Sequence, residues 1–145
     1  MNILSSCYLF RGLRPHKIDE LAKAVSEISV VENAWLFHEG DPADHLYFLV
    51  DGAVDLLTTI QSDVELPTAR LKTSGDCFGT GVLVEPFTYS LSARCVETAG
   101  LLTIDRDALA RIMEKDSDFG RIVMKNLAQH YLDRLREARQ ELKVH

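Results

Sequence analysis

Cysteine is scarce in this sequence, and its spacing excludes the chemistry that cysteine clusters support. The chain of 145 residues has three cysteines, Cys7, Cys77 and Cys95, and no C-x-x-C pair. This pattern predicts neither a disulfide framework nor a thiolate zinc site, because both need cysteines in paired spacing. We therefore expect reduced thiols that are buried in the core.

Long apolar runs and an excess of basic residues are also missing. No run approaches the roughly 20 residues of a membrane-spanning helix, and the first residues lack the order of a secretory signal peptide. The 16 basic side chains face 22 acidic ones, which gives a formal net charge of -6. Nucleic-acid-binding domains usually show the opposite balance. The sequence therefore predicts a cytoplasmic protein that binds neither a membrane nor nucleic acid.

The spacings that mark catalytic or metal sites are absent as well. His38 and His45 flank a turn at Gly40-Asp41-Pro42, so they do not form a set of ligands on one strand face. No serine lies in a G-x-S-x-G elbow, and no cysteine has a histidine close by in the sequence. We predict that the protein is not an enzyme and holds no metal ion or resident cofactor.

From Val30 to about Ile104 the sequence consists of short apolar runs separated by turn residues, a pattern typical of β-structure. The runs are Ala34–Phe37, Leu46–Val50, Ala53–Thr59, Ala69–Lys72, Leu91–Val96 and Gly100–Ile104. Many short strands with Gly and Asp turns predict a mainly β domain, a double-sheet jelly roll or an antiparallel barrel. Gly79–Val84 does not alternate and predicts a single helical turn between strands.

Helical periodicity flanks this β region on both sides. The leading amphipathic helix is predicted from Ile18, Leu21, Val25 and Ile28. A second helix is predicted from Ala108, Leu109, Ile112 and Met113. A longer helix follows from Phe119 to the end, so we divide the chain into a β domain at 1–118 and a C-terminal helix at 119–145.

The C-terminal helix carries an apolar seam with alternating spacings of four and three, which is typical of a coiled coil. The seam residues are Met124, Ala128, Tyr131, Leu135, Ala138 and Leu142. The pattern predicts a dimer interface between two copies of the chain, and packing of the helix onto its own roll remains the alternative. Residues 121–145 hold 6 basic and 3 acidic side chains, too mixed a set to argue for DNA binding.

The segment Gly75–Val84 contains glycines beside the predicted helical turn. Backbone N–H groups at such a turn are able to hold a phosphate. Gly79 and Gly81 leave space beside the chain, and the hydroxyl of Thr80 is a further hydrogen-bond donor. Glycines between strands are also ordinary turn residues, so the motif by itself is a weak signal.

The order of these motifs resembles the cyclic nucleotide-binding domain of catabolite-activator-type regulators, kinase regulatory subunits and gated channels. The matching residues are Leu9-Phe10, Gly12-Leu13, Phe37, Glu39-Gly40-Asp41, Leu46–Val50, Gly52, Val54, Gly75-Asp76 and Phe78-Gly79. The resemblance implies a β-roll with N-terminal helices and C-terminal helices that form a dimer seam. It also implies a ligand site at Phe78, Gly79, Thr80, Gly81, Val82, Leu83, Tyr89, Ser90 and Leu91.

Two positions depart from the family pattern. Thr80 stands where the family has a Glu that accepts from the ribose hydroxyl, and Tyr89 stands where it has an Arg that neutralises the cyclic phosphate. A charge-assisted hydrogen bond contributes roughly 1.5–3 kcal/mol, so the loss of both lowers affinity by some two to four powers of ten. Arg94 is expected on the opposite strand face. The sequence therefore argues against a standard cyclic nucleotide as the ligand.

Two functions are compatible with these observations. The first is a small-ligand sensor of the cyclic nucleotide-binding type that acts as a homodimer and signals through its C-terminal helix. The second is a ligand-free interaction module that dimerises or docks on a partner protein. Taken as complete, a chain that ends at His145 lacks the DNA-binding domain that follows this helix in the bacterial regulators.

Overall fold

A computed structural model describes residues 3–144, which form a mainly β domain with flanking helices. The helices are α1 (Pro15–Ala22), α2 (Arg106–Lys115) and α3 (Ser117–Val144). The strands are β1 (Ser26–Val30), β2 (Trp35–Phe37), β3 (His45–Gln61), β4 (Val64–Leu71), β5 (Cys77–Phe78) and β6 (Ser92–Asp105). Short 3₁₀ turns occupy Ile3–Ser6, Tyr8–Phe10 and Thr80–Leu83. The predicted fold class and the helical turn after Gly79 are confirmed.

The predicted segments 1–118 and 119–145 include Met1, Asn2 and His145, which lie outside the described residues. Within the described part, none of the helices combines the length and the apolar character needed to cross a membrane.

Strands β3 and β6 form the central antiparallel pair of the sheet, and every other strand pairs with one of them. The strand order is β1-β6-β3-β4, and β2 pairs with β6 while β5 pairs with β3. The register of β3 and β6 shifts between Leu49 and Val54, around Gly52. Gly52 has φ 88°, and a Cβ built there would lie 2.7 Å from Ala99 Cα, so a side chain does not fit. The pair bends at this point and folds the sheet into a β-roll.

Some predicted boundaries were wrong. The leading helix ends at Ala22, and Ile28 lies in β1, where it pairs with Leu101 of β6. Its spacing from Leu21 imitated a helix period, but pairing with β6 decides the local structure. The runs 46–50 and 53–59 are one bent strand, β3, and the runs 91–96 and 100–104 are one strand, β6. The Asp51-Gly52 signal marks a bulge within β3 instead of a turn between strands.

The main core lies where the roll meets the terminal segments of the chain. Phe48 of β3 and Phe10 of the second 3₁₀ turn are fully buried, with ring centroids 5.6 Å apart. Phe119 of α3 lies on the other side of Phe10, at 6.2 Å. The beginning of α3 is thereby fixed to the roll by aromatic packing.

A buried carboxylate, that of Asp55, lies beside arginines of the two strands that flank β3. Asp55 of β3 is 3 % exposed and lies in register with Arg70 of β4 and Arg94 of β6. Arg70 donates two hydrogen bonds to it, at 2.7 and 3.0 Å. These bonds hold the pKa of Asp55 below its usual range, with a further contribution from the positive charge of Arg94.

Asp55→Asn removes this charge and keeps the side-chain size. We expect the free energy of unfolding at pH 7 to fall by about 1–3 kcal/mol, because a buried charge-assisted pair is broken. Since the folded-state pKa of Asp55 lies below the ordinary value of 3.8, the stabilisation is complete above that pH and is lost as the pH falls through the lowered pKa.

Denaturant unfolding of both proteins between neutral pH and the lowest pH at which they fold measures this difference. Asp63→Asn, on the exposed turn between β3 and β4, is the control variant. An advantage of the wild type that does not shrink toward low pH would contradict the assignment.

Candidate functional site

A cavity of about 220 Å³ lies between strands β3 and β4 of the roll, the 3₁₀ turn at Thr80–Leu83 and helix α3. Its walls are aromatic and hydroxyl-bearing, and α3 forms one of them. The lining residues are Tyr8, Phe37, Leu56, Thr68, Ala69, Cys77, Phe78, Gly79, Thr80, Gly81, Tyr89, Ser90, Leu91, His130, Tyr131 and Arg134.

Seven of the nine residues that the sequence assigned to a ligand site line this cavity. These are Phe78, Gly79, Thr80, Gly81, Tyr89, Ser90 and Leu91. The other two, Val82 and Leu83, are not among the lining residues, because they pack with the hydrophobic core. Val82 is 4 % exposed, so the 3₁₀ turn is fixed to the roll by this side chain.

The two glycines beside the turn serve close packing. Gly79 has φ 86°, and a Cβ built there would lie 2.9 Å from the carbonyl oxygen of His45. A Cβ on Gly81 would lie 2.9 Å from the carbonyl carbon of Thr88. Both Cβ positions meet the backbone of this chain, so the glycines let the turn approach the roll.

Tyr89 replaces the expected arginine with a structural anchor. Its ring stacks on Phe37 at 3.7 Å, and its side chain is 3 % exposed. The hydroxyl accepts from the backbone N–H groups of His45 at 3.0 Å and Asp44 at 3.3 Å, and it lies 2.8 Å from the His45 carbonyl oxygen, to which it donates. Burial raises the pKa of this phenol, so Tyr89 is neutral.

Thr80, at the position of the expected glutamate, joins the turn to α3. Its hydroxyl lies 2.6 Å from the hydroxyl of Tyr131, at hydrogen-bonding distance. Tyr131 is 49 % exposed, and the neighbouring His130 stacks on Tyr8 at 4.1 Å. The 3₁₀ turn in the cavity wall is therefore in direct contact with the C-terminal helix.

Helix α3 has a buried first half and an exposed second half. Phe119, Val123 and Leu127 are buried in the core, and the Asn126 amide donates to the carbonyls of Leu9 and Arg11. The predicted seam begins in the first half, where Met124 packs against the core of its own domain. The later seam residues are exposed, namely Ala128, Tyr131, Leu135, Ala138 and Leu142. The first half of α3 therefore packs onto the roll of its own chain, which was the alternative to a dimer interface.

Several lining residues were missed in the sequence. Thr68 and Ala69 come from β4, and Tyr8 comes from the second 3₁₀ turn. His130 and Arg134 come from α3, four residues apart and therefore on one helix face. The helix period places these two side chains together, but no sequence signal places them at the roll.

Cys77, beside the turn, is a neutral thiol. A hydrogen bond with Cys7 and burial raise the pKa of the Cys77 thiol. All three cysteines are free; Cys7 and Cys95 are buried, as predicted, whereas Cys77 is only partly buried. Among residues 3–144 no group of three or more His, Cys, Asp or Glu side chains is placed to hold a metal ion.

Comparison with known families assigns this architecture. The family model described as "Cyclic nucleotide-binding domain" matches residues 27–116. The chain belongs to the cyclic nucleotide-binding domain family. The predicted resemblance is confirmed, and the matched range runs from β1 to the end of α2.

In curated relatives, the segment that matches this chain is part of a larger protein. The chain is 33 % identical over 133 residues to the potassium channel KAT1 of Oryza sativa subsp. japonica, covering 88 % of this chain and 17 % of the channel. It is 28 % identical over 107 residues to a CRP-like cAMP-activated global transcriptional regulator of Mycobacterium tuberculosis, covering 74 % of this chain and 47 % of the regulator. The chain thus spans less than half the length of these relatives.

Solved structures share the same fold. The catabolite activator protein of Thermus thermophilus is 29 % identical, with a TM-score of 0.78 over 94 % of this chain and 62 % of that protein. The N-terminal domain of a transcriptional regulator from Streptomyces coelicolor A3(2) is 25 % identical, with a TM-score of 0.77 over 95 % of each chain. The long α3 at the end of the roll therefore belongs to an architecture found in regulatory proteins.

Tyr89→Phe tests whether this residue is a structural anchor of the cyclic nucleotide-binding domain. We expect the free energy of unfolding to fall by about 1–3 kcal/mol, because two part-buried N–H groups lose their acceptor. Thermal and denaturant unfolding measure the change. Tyr131→Phe, which removes a hydroxyl from an exposed ring, is the control, with an expected change of about 0.5 kcal/mol or less. Equal stability of the Tyr89→Phe variant and the wild type would contradict the anchor.

Proposed function

We propose that this domain is a sensor for a small ligand and that its signal leaves through α3. The observation that carries the proposal is the contact between Thr80 and Tyr131, with their hydroxyl oxygens 2.6 Å apart. It joins the turn that binds the ligand in this family to the helix that closes the cavity. A molecule in the cavity touches both elements at once.

The mechanism is a shift between two positions of α3. Phe119 and Leu127 fix the first half of the helix in the core, so a displacement is confined to the part that follows. A ligand changes the balance only when it contacts the two positions unequally. Tyr131 and Arg134 line the cavity from the part of α3 that follows Leu127. In this mechanism, their contacts with a ligand differ between the two positions of the helix.

The output of the proposed sensor is a homodimer formed by α3. Beyond Leu127 the helix exposes a seam with the spacing of a coiled coil, and Leu135 and Leu142 are 48 % and 78 % exposed. A second copy of the same helix covers these side chains with residues of matching size. A change in the angle of α3 then alters the geometry of the dimer.

A ligand-free interaction module is the second candidate function. It is favoured by Tyr89, whose hydroxyl is already occupied by Asp44 and His45. The charged residues that bind cyclic nucleotides in the family have been replaced by groups that pair within the chain. Under this proposal α3 and its seam bind a partner protein, and the roll is a scaffold without catalytic activity.

Thermal unfolding with cyclic AMP, cyclic GMP and small aromatic acids separates the two candidates. A ligand at a hundredfold its dissociation constant stabilises the fold by about 2.7 kcal/mol, which raises Tm by roughly 2–4 °C per kcal/mol. The sensor predicts such a rise with at least one compound, and a smaller rise in Thr80→Val, which loses the hydroxyl. Absence of any rise supports the ligand-free module.

Leu135→Asp tests the dimer. We expect the wild type to sediment as a dimer and this variant as a monomer, because the substitution places a charge in the apolar seam. Gln140→Asp, on the opposite side of α3, is the matched control and remains dimeric. A wild type that sediments as a monomer at micromolar concentration would contradict the homodimer.

A further inference from the structure

The chemistry of the cavity walls indicates the class of ligand. Five Phe and Tyr rings line the cavity, those of Tyr8, Phe37, Phe78, Tyr89 and Tyr131. Thr68, Thr80 and Ser90 bring further hydroxyl groups, and the hydroxyl oxygens of Thr80 and Tyr131 are 2.6 Å apart. Among the lining residues in the described part of the chain, Arg134 is the one permanent cation, and no Asp or Glu lines the cavity.

Arg134 lies on the face of α3 that is turned to the roll. It follows Leu127 by seven residues and His130 by four, which places all three on one helix face. Leu127 is buried in the core, and His130 stacks on Tyr8. The packing of α3 therefore places Arg134 on the side of the helix that lines the cavity.

The charge of Arg134 is available to a ligand. Its nearest acidic partner is Glu137, with Nε and Oε2 3.8 Å apart, and both side chains are exposed, at 52 % and 70 %. A pair of this kind contributes little, because water screens it. Burial and the neighbouring Arg134 lower the pKa of His130, so this histidine is neutral near pH 7 and adds no second cation. Among the described residues, the lining of the cavity therefore supplies a single positive charge, that of Arg134.

The size and shape of the cavity restrict the rest of the ligand. At about 220 Å³ it is smaller than the roughly 300–1,000 Å³ of pockets for drug-sized ligands. Its wall is largely aromatic: Phe37 stacks on Tyr89 and Phe78 stacks on Tyr47, so these rings are nearly buried, while the rings of Tyr8 and Tyr131 are more exposed. A small planar ring fits this surface better than a flexible chain.

We infer that the ligand of this cavity is a small aromatic carboxylate, whose carboxylate pairs with Arg134 and whose ring lies against the aromatic wall beside Tyr8 and Tyr131. This inference rests on the proposed sensor function and names its ligand class. It assigns the anion to α3, whereas the family resemblance places the phosphate on the roll. Binding then acts on the signalling helix directly.

Isothermal titration at pH 7 with benzoate and with benzamide tests the inference, because the two probes have nearly the same shape and only benzoate is charged. We expect the wild type to bind benzoate about tenfold more tightly than benzamide, the preference that about 1.4 kcal/mol supports. Arg134→Gln should bind the two probes equally, and Arg134→Lys should keep part of the preference.

Arg136→Gln is the matched control, since Arg136 lies on α3, pairs with Asp133 and is not a lining residue. It should keep the wild-type preference, and equal melting temperatures show that the variants fold. Equal binding of benzoate and benzamide by the wild type overturns the aromatic-carboxylate assignment and leaves the sensor intact. Binding of neither probe also overturns it, and the cyclic nucleotide arm of the thermal experiment then decides on the sensor alone.

Discussion

The bend of the paired strands β3 and β6 at Gly52 is the constraint on which the rest of the structure depends. On one side of the bend, Leu46 and Phe48 pair with the C-terminal part of β6 and form the core that receives Phe10. On the other side, Leu56 forms part of the cavity wall. The backbone contact of Gly52 with Ala99 leaves no room for a side chain. The cavity draws on both parts of the bent strand pair, since Cys77 and Phe78 of β5, which pair with Phe48 and Tyr47, also line it.

Helix α3 contacts both the core and the cavity. Phe119 and Leu127 are buried in the core, while Tyr131 and Arg134 line the cavity. The amide of Asn126 adds two hydrogen bonds to the N-terminal segment at this junction. In the proposed sensor, a movement of α3 at Tyr131 would reach the seam beyond it through continuous helix, without a flexible linker.

Most of the fold was predictable from local patterns, and most of the errors occurred where pairing overrides them. The turn residues at Gly40 and Gly75 correctly predicted the ends of strands, because Gly40 lies between β2 and β3 and Gly75 lies between β4 and β5. Strand β1 was not predicted, because the spacing of Ile28 from Leu21 fits a helix. Its strand conformation is set by pairing with Leu101 of β6, which lies far away in the sequence. In the site, the turn at Thr80 was found from its glycines. Arg134 was not found, since its position depends on how α3 packs.

The two substitutions in the family motif have a common physical consequence. Tyr89 bonds to Asp44 and His45, and Thr80 bonds to Tyr131, so the polar groups that would bind a cyclic nucleotide are satisfied within the chain. A ligand that uses Thr80 must compete with Tyr131, and this competition separates the turn from α3. Under the inferred ligand class, a pair between Arg134 and the carboxylate would replace the hydroxyl contact as the link to the helix. The proposed sensor would then hold α3 through different residues with and without its ligand, and this difference is what a change in helix position requires.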